Sequence, residues 1–145
     1  MRRASAADLE DLLALEARCF SETDGLFNRR QLRALLANPR CAWFIAGHFE
    51  GAVCLLLAGN GRRRWGRLYS LAVDPAHRNQ GVARRLLAAS FTWLREQGMT
   101  IVRAEVKSDN KAARRLYADL GFTEDGVLLH YYGPGQLGIK LRRPL

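Results

Sequence analysis

Apolar residues recur along this chain with two periods. Near the N-terminus Leu9, Leu12 and Leu13, with Glu16 and Cys19-Phe20 in phase, keep the three- and four-residue spacing of a helix that packs one face on a core. Ser5-Ala6-Ala7-Asp8 is a capping-box-like start, with an acid in the first turn in place of Glu or Gln. Residues 21–25 break the pattern. A second amphipathic helix is expected from near Asn28, carrying Leu32, Leu35 and Leu36 until Asn38-Pro39 stops it. Residues 41–47 and 52–58 read as adjacent antiparallel strands joined through 48–51.

The stretch 67–98 organises the rest. Residues 68–73 form a short apolar run rich in strand formers and stopped by Asp74-Pro75, the mark of a buried strand. From Val82, the positions Ala83, Leu86, Leu87, Ser90, Phe91 and Leu94 line one side of a helix that ends at Gln97-Gly98. Residues 101–106 then alternate apolar with polar, and the crossover from Val73 to Ile101 suits a right-handed parallel β-α-β unit. Asn110 is an N-cap for a short helix with Ala112, Ala113, Leu116, Tyr117 and Leu120 on one side and Gly121 at its end. Residues 127–131 and 137–141 read as a last pair of strands around Gly133-Pro134-Gly135. A mixed α/β sheet is the expected architecture.

Between the central strand and its helix stands Arg78-Asn79-Gln80-Gly81-Val82-Ala83, which is suited to an anion. The first turn of a helix has N–H groups without intrahelical acceptors and a partial positive charge. Gly81 places no Cβ in the way of a ligand, and Arg78 adds a fixed charge whose hydrogen bonds to phosphate contribute roughly 1.5–3 kcal/mol each. A pyrophosphate would fit. Neither a P-loop nor a G-x-G-x-x-G dinucleotide fingerprint is present.

With 145 residues, 48% hydrophobic and 26% charged, the chain is expected to form one domain over 1–145. Acids follow Met1-Arg2-Arg3 where a signal peptide needs an apolar core, and no span approaches the roughly 20 apolar residues of a membrane helix, so a soluble cytoplasmic protein is expected. Cys19, Cys41 and Cys54 are odd in number and widely spaced, which argues against a disulfide framework and for buried apolar side chains. His48, His77 and His130 form no metal motif, so no metal is expected. Net charge is +9, and only Lys107, Lys111 and Lys140 are lysine. A basic surface favours nucleic acid, ribosomes, acidic peptides and cofactor phosphates as partners. The densest cluster, Arg62-Arg63-Arg64 with Arg67, lies in a Gly-rich turn and reads first as a solvated loop.

The loop resembles the (Arg/Gln)-x-x-Gly-x-(Gly/Ala) signature of the GNAT N-acetyltransferase superfamily. Further motifs agree in order: Leu71-Ala72-Val73-Asp74-Pro75 before the loop, a strand ending Glu105-Val106, and Asn110 through Ala113, Leu116, Tyr117 and Leu120-Gly121-Phe122. Essentially the whole chain shares the resemblance. It implies an α/β GNAT fold, with a mixed, mostly antiparallel sheet whose central parallel strands splay to admit acetyl-coenzyme A. The resemblance also implies a bulge in the central strand, and coenzyme contacts at Leu71, Ala72, Val73, Arg78, Asn79, Gln80, Gly81, Val82, Ala83, Asn110, Ala113 and Tyr117.

Acetyl transfer to an amine needs a proton acceptor, a donor for the thioester oxygen and a proton for the departing thiolate. By resemblance Glu105 is the base, through water, and Tyr117 is the general acid, with a backbone N–H near residues 71–73 as the oxyanion donor. The plain alternatives are a charged ladder of Arg103, Glu105 and Lys107 on one strand face, and a core tyrosine.

Leu12-x-x-Leu15-Glu16-x-x-x-Phe20-Ser21 and His130-Tyr131-Tyr132 are similar to the RimI-like branch, which acetylates the N-terminal residue of a ribosomal protein. By that resemblance Phe20, Tyr131 and Tyr132 would line a peptide groove, with ordinary strand aromatics as the alternative for the tyrosines. RimI-like chains commonly carry acids in the last hairpin where this one has Gly133-Pro134-Gly135-Gln136-Leu137-Gly138. The expected acceptor is therefore a protein or peptide α-amine, by resemblance that of a ribosomal protein, with a small-molecule amine as the alternative. A non-catalytic, nucleic-acid-associated module that binds the coenzyme is a third reading; nucleic acid is not expected as substrate, and no membrane partner is expected.

Overall fold

The apolar runs and alternations assemble into one sheet with helices on both faces. In the computed structural model, residues 1–21, 26–59, 62, 64–129 and 133–145 are described. The strands are β1 (Arg2–Arg3), β2 (Cys41–Ala46), β3 (Gly51–Ala58), β4 (Trp65–Val73), β5 (Ile101–Lys107), β6 (Thr123–Leu128) and β7 (Gly138–Pro144). They lie in the order β1-β2-β3-β4-β5-β7-β6, and β4-β5 is the parallel pair among antiparallel neighbours. This is the mixed sheet that the strand and crossover lengths predict.

On one face lie α1 (Leu9–Cys19) and α2 (Arg29–Ala37), on the other α3 (Val82–Glu96) and α4 (Lys111–Asp119). Asp8 accepts from the Ser5 N–H at 2.8 Å, and Asn28 and Gln31 satisfy each other's backbone N–H groups in a capping box at the start of α2. Leu12 and Leu15 are the fully buried positions of α1, whereas Leu9 and Leu13 are only partly covered. In α3, Leu86, Leu87 and Leu94 are fully buried, each stabilising the fold by about 1.5–3 kcal/mol. Gly51 lets the start of α3 come close to the sheet: a Cβ there would stand 2.8 Å from Val82 Cγ1 and 2.9 Å from the Ala72 carbonyl oxygen.

Two irregularities shape the centre. Cys54 pairs with Ser70 but Leu55 with Leu68, so Tyr69 is an extra residue and β4 bulges there. Parallel pairing joins Trp65–Arg67 of β4 only to residues 101–103 of β5, and beyond Arg67 the two strands part. The bulge and the splay both agree with the resemblance.

Elsewhere the strands depart from the boundaries that periodicity predicts. β1 pairs with β2 although two arginines carry no apolar signal, and β4 begins at Trp65 rather than at 68. The sixth strand occupies Thr123–Leu128 instead of 127–131, because its polar residues are exposed and show no alternation to read. Its partner β7 runs on to Pro144. His130, Tyr131 and Tyr132 lie outside the described residues, as do 22–25, 60, 61 and Arg63. All three cysteines are free; Cys41 and Cys54 are buried with their sulfurs 3.5 Å apart, and Cys19 is half-buried.

Candidate functional site

The parting of β4 from β5 opens a cavity of about 1070 Å³. It is bordered by the C-terminal part of β4, the loop before α3, the first turn of α3, the end of β5, one side of α4, and residues of α1 and α2. Strand ends and helix starts of an α/β sheet converge at such a split, so backbone donors and side chains of distant sequence segments meet there.

At one side is the anion-suited loop. Gly81 is the N-cap of α3 at φ +77°, the left-handed conformation that glycine tolerates, and a Cβ added to it would meet nothing within 4 Å. Arg85 N–H is bonded to the Gly81 carbonyl at 3.1 Å, so the N–H groups of Val82, Ala83 and Arg84 precede the first intrahelical bond. Among the described residues no side chain caps them, and the first turn holds no acid. Arg78 Nε donates to the Val73 carbonyl oxygen at 3.2 Å, which holds this guanidinium at the end of β4. Cys19 Sγ donates to the same oxygen at 3.3 Å, and burial pushes its thiol pKa up against the opposing effect of Arg78. Asp74 accepts from the Ala76 N–H and from Arg18 Nε, both at 2.9 Å, and these hold its carboxyl below the usual range, the amide bond most of all.

Tyr117 comes from α4, whose first turn is capped by Asn110 Oδ1 accepting from the Ala113 N–H at 3.1 Å. It is buried in the core under α3 and α4, edge-on to Phe122 at 5.1 Å, and borders the cavity. Glu105 reaches the same cavity from the other face of the sheet. Its neighbour Val106 pairs with Ile139 in the core under α3 and α4, so Glu105 points to the face that holds α1 and α2. There its carboxylate lies 3.4 Å from the Arg67 guanidinium, which in turn stacks 4.6 Å from the Tyr69 ring centroid.

A second carboxylate borders the cavity from α1. Glu16 is 2% exposed and accepts from the Ser70 hydroxyl at 3.0 Å, next to the Tyr69 bulge. Burial raises its pKa to about 7, and the hydrogen bond from Ser70 opposes that rise. An acid in phase with Leu12 and Leu15 is the signal for it in the sequence, although phase alone does not tell a buried carboxylate from one at the rim.

Of the residues expected at the site, Phe20, Leu71, Ala72, Val73, Arg78, Asn79, Gly81, Val82, Ala83, Glu105, Asn110, Ala113 and Tyr117 border this one cavity. Gln80 does not border it. Tyr131 and Tyr132 lie outside the described residues. Glu16, Ser70, Tyr69, Arg67 and Phe27, whose ring packs on Tyr69 at 5.2 Å, also border the cavity and carry no site role in the sequence pattern. Their membership depends on which way the bulged strand turns its side chains.

The profile of the acetyltransferase (GNAT) family matches residues 9–122. Among curated relatives, the [ribosomal protein bS18]-alanine N-acetyltransferase of Haemophilus ducreyi is 38% identical over 65 residues, covering 45% of each chain. Several such relatives are matched over under half of their length. The N-alpha-acetyltransferase RimI of Mycobacterium tuberculosis is 32% identical over 139 residues, with 87% of this chain and 79% of that protein covered. Among solved structures, the ribosomal-protein-S18-alanine N-acetyltransferase of Escherichia coli superposes with a TM-score of 0.85 at 22% identity, over 99% of this chain and 91% of that one.

Proposed function

The chain belongs to the acetyltransferase (GNAT) family, and from that premise we propose that it moves the acetyl group of acetyl-coenzyme A directly to the α-amine of a protein or peptide N-terminus. The observation that carries the reading is the meeting of Tyr117 and Glu105 at one cavity from opposite faces of the sheet, beside an uncapped helix start.

The uncapped N–H groups of Val82, Ala83 and Arg84, the open space above Gly81 and the Arg78 charge fit a pyrophosphate, and the parted edge of β4 at residues 71–73 fits an extended pantetheine chain. Asn110 and Ala113 close that slot from α4. When bound, the coenzyme supplies an acetyl thioester. A backbone N–H among residues 71–73 offers the donor for the carbonyl oxygen as charge develops on it. Glu105 takes up the proton of the attacking amine through water, on the face of the sheet that holds α1 and α2. The Tyr117 hydroxyl is the proton donor on the coenzyme side. Phe20 lines the acceptor side.

The similar proteins named as N-terminal acetyltransferases support the choice of acceptor over a small amine. A ribosomal or nascent N-terminus is met in the cytoplasm, where this reading places the chain; among the described residues no helix is long and apolar enough to cross a membrane. The test is thiol release from acetyl-coenzyme A with short peptides bearing free N-termini against a panel of small amines. Turnover on the peptides is expected. Turnover confined to small amines would move the protein to the other acceptor class.

A further inference from the structure

Among the described residues, the face of the sheet that holds α1 and α2 is only half covered. The apolar cluster beneath those helices takes strand residues from β2, β3 and β4 and none from β5, β6 or β7. On β5 and β7 the residues turned to this face include Arg103, Lys140 and Arg142, all exposed. Register brings the charges together: Arg67 pairs with Arg103, and Arg103 with Arg142, so three arginines lie abreast on β4, β5 and β7. Adjacent strands are about 4.8 Å apart, and like charges directly opposite destabilise a sheet.

The carboxylates of β5 and β6 are Glu105, Glu124 and Asp125, and among the described residues Asp125 forms no ion pair with that row. Glu105 lies opposite Lys140 but is engaged by Arg67 at 3.4 Å. Glu124 is turned to the other face, where Arg114 holds it with a pair of 2.8 Å hydrogen bonds. Among the described residues, neither Arg103 nor Arg142 is in an ion pair with a carboxylate. A half-buried aromatic completes the surface, since the Arg103 guanidinium lies 4.7 Å from the Trp65 ring centroid.

We propose that this open face of β5 and β7 is a docking surface for a single-stranded polynucleotide, whose phosphates lie on Arg103, Arg142 and Lys140 and whose bases stack on the Trp65–Arg103 platform. A cationic track beside an aromatic plane is what binding of single strands requires. An acidic peptide would use the charges and leave the indole and guanidinium planes unused. β5 and β7 lie inside a seven-stranded sheet, so this face presents neither a helix nor a free two-stranded ribbon to enter a duplex groove. The inference goes beyond acetyl transfer and does not depend on it.

The test is fluorescence anisotropy of a labelled mixed-sequence RNA of about 15 nucleotides against the full chain, titrated at about 50 to 200 mM salt. The double variant Arg103→Gln/Arg142→Gln is compared with Arg33→Gln/Arg95→Gln, which removes the same charge from exposed positions on α2 and α3. The expected result is about tenfold weaker binding for the first and a salt dependence shallower by about 1.4 log units per log unit, with the second close to wild type. Equal losses in both variants, no binding at the lower salt, or displacement of the RNA by poly-glutamate of equal charge would each overturn it.

Discussion

The Ser70 hydroxyl donates to Glu16 Oε1 across 3.0 Å, tying a buried carboxylate of α1 to the strand that carries the bulge. Burial raises the Glu16 pKa from its ordinary 4.5 to about 7, so between those values the folded chain keeps a proton that the unfolded chain releases. The contribution of this proton is fully present below about pH 4.5 and is lost as pH rises through about 7. Glu16→Gln, which stays neutral, escapes that loss. Its melting temperature is expected to gain on wild type between about pH 5 and pH 8, corresponding to at most about 3 kcal/mol. Parallel melting curves across that range would show that Glu16 is not raised.

Arg78→Gln removes the fixed charge beside the α3 start. Loss of one charge-assisted hydrogen bond, about 1.5–3 kcal/mol, predicts at least tenfold weaker binding of acetyl-coenzyme A by calorimetry. With acetyl-pantetheine, which lacks the pyrophosphate, KM is expected to stay the same, so an equal loss with both donors would place Arg78 elsewhere.

Gly51→Ala sets a Cβ against Val82 and the Ala72 carbonyl. Overpacking of this kind costs about 1–3 kcal/mol, to be read from urea unfolding, and coenzyme affinity is expected to fall with it because the helix start is displaced. An unchanged unfolding midpoint would mean that the approach of α3 to β3 is looser than the structure shows.

Glu105→Gln is expected to lower kcat by about 10²–10⁴ at neutral pH with little change in KM for the coenzyme. A variant in which KM moves and kcat does not would make Glu105 a partner of Arg67 in the fold rather than the proton acceptor.

Much of this architecture is legible in the residues. The loop and α3 announce themselves because glycine, arginine and a helical period fall together, and Asn110 marks α4 through a cap that the structure contains. The parallel pair follows from the length of the crossover. What periodicity does not carry is register. The stretch over which β4 and β5 stay paired, the residue that bulges and hence the face on which Glu105 or Arg103 stands are set by pairing between distant segments. β6 is polar and exposed, so it has no pattern of its own and is fixed by β7. Glu16 illustrates the same limit: its place on α1 is visible, and its depth depends on β4.

Acetyl transfer at this site turns on the proton of Tyr117. The measurement is the rate of thiol release from acetyl-coenzyme A on peptides with free N-termini, for wild type and Tyr117→Phe, with coenzyme binding measured alongside. A fall in kcat of at least tenfold, about 1.4 kcal/mol of barrier, with coenzyme affinity retained, is the predicted result. A Tyr117→Phe variant that turns over peptides as fast as wild type would remove Tyr117 from the chemistry.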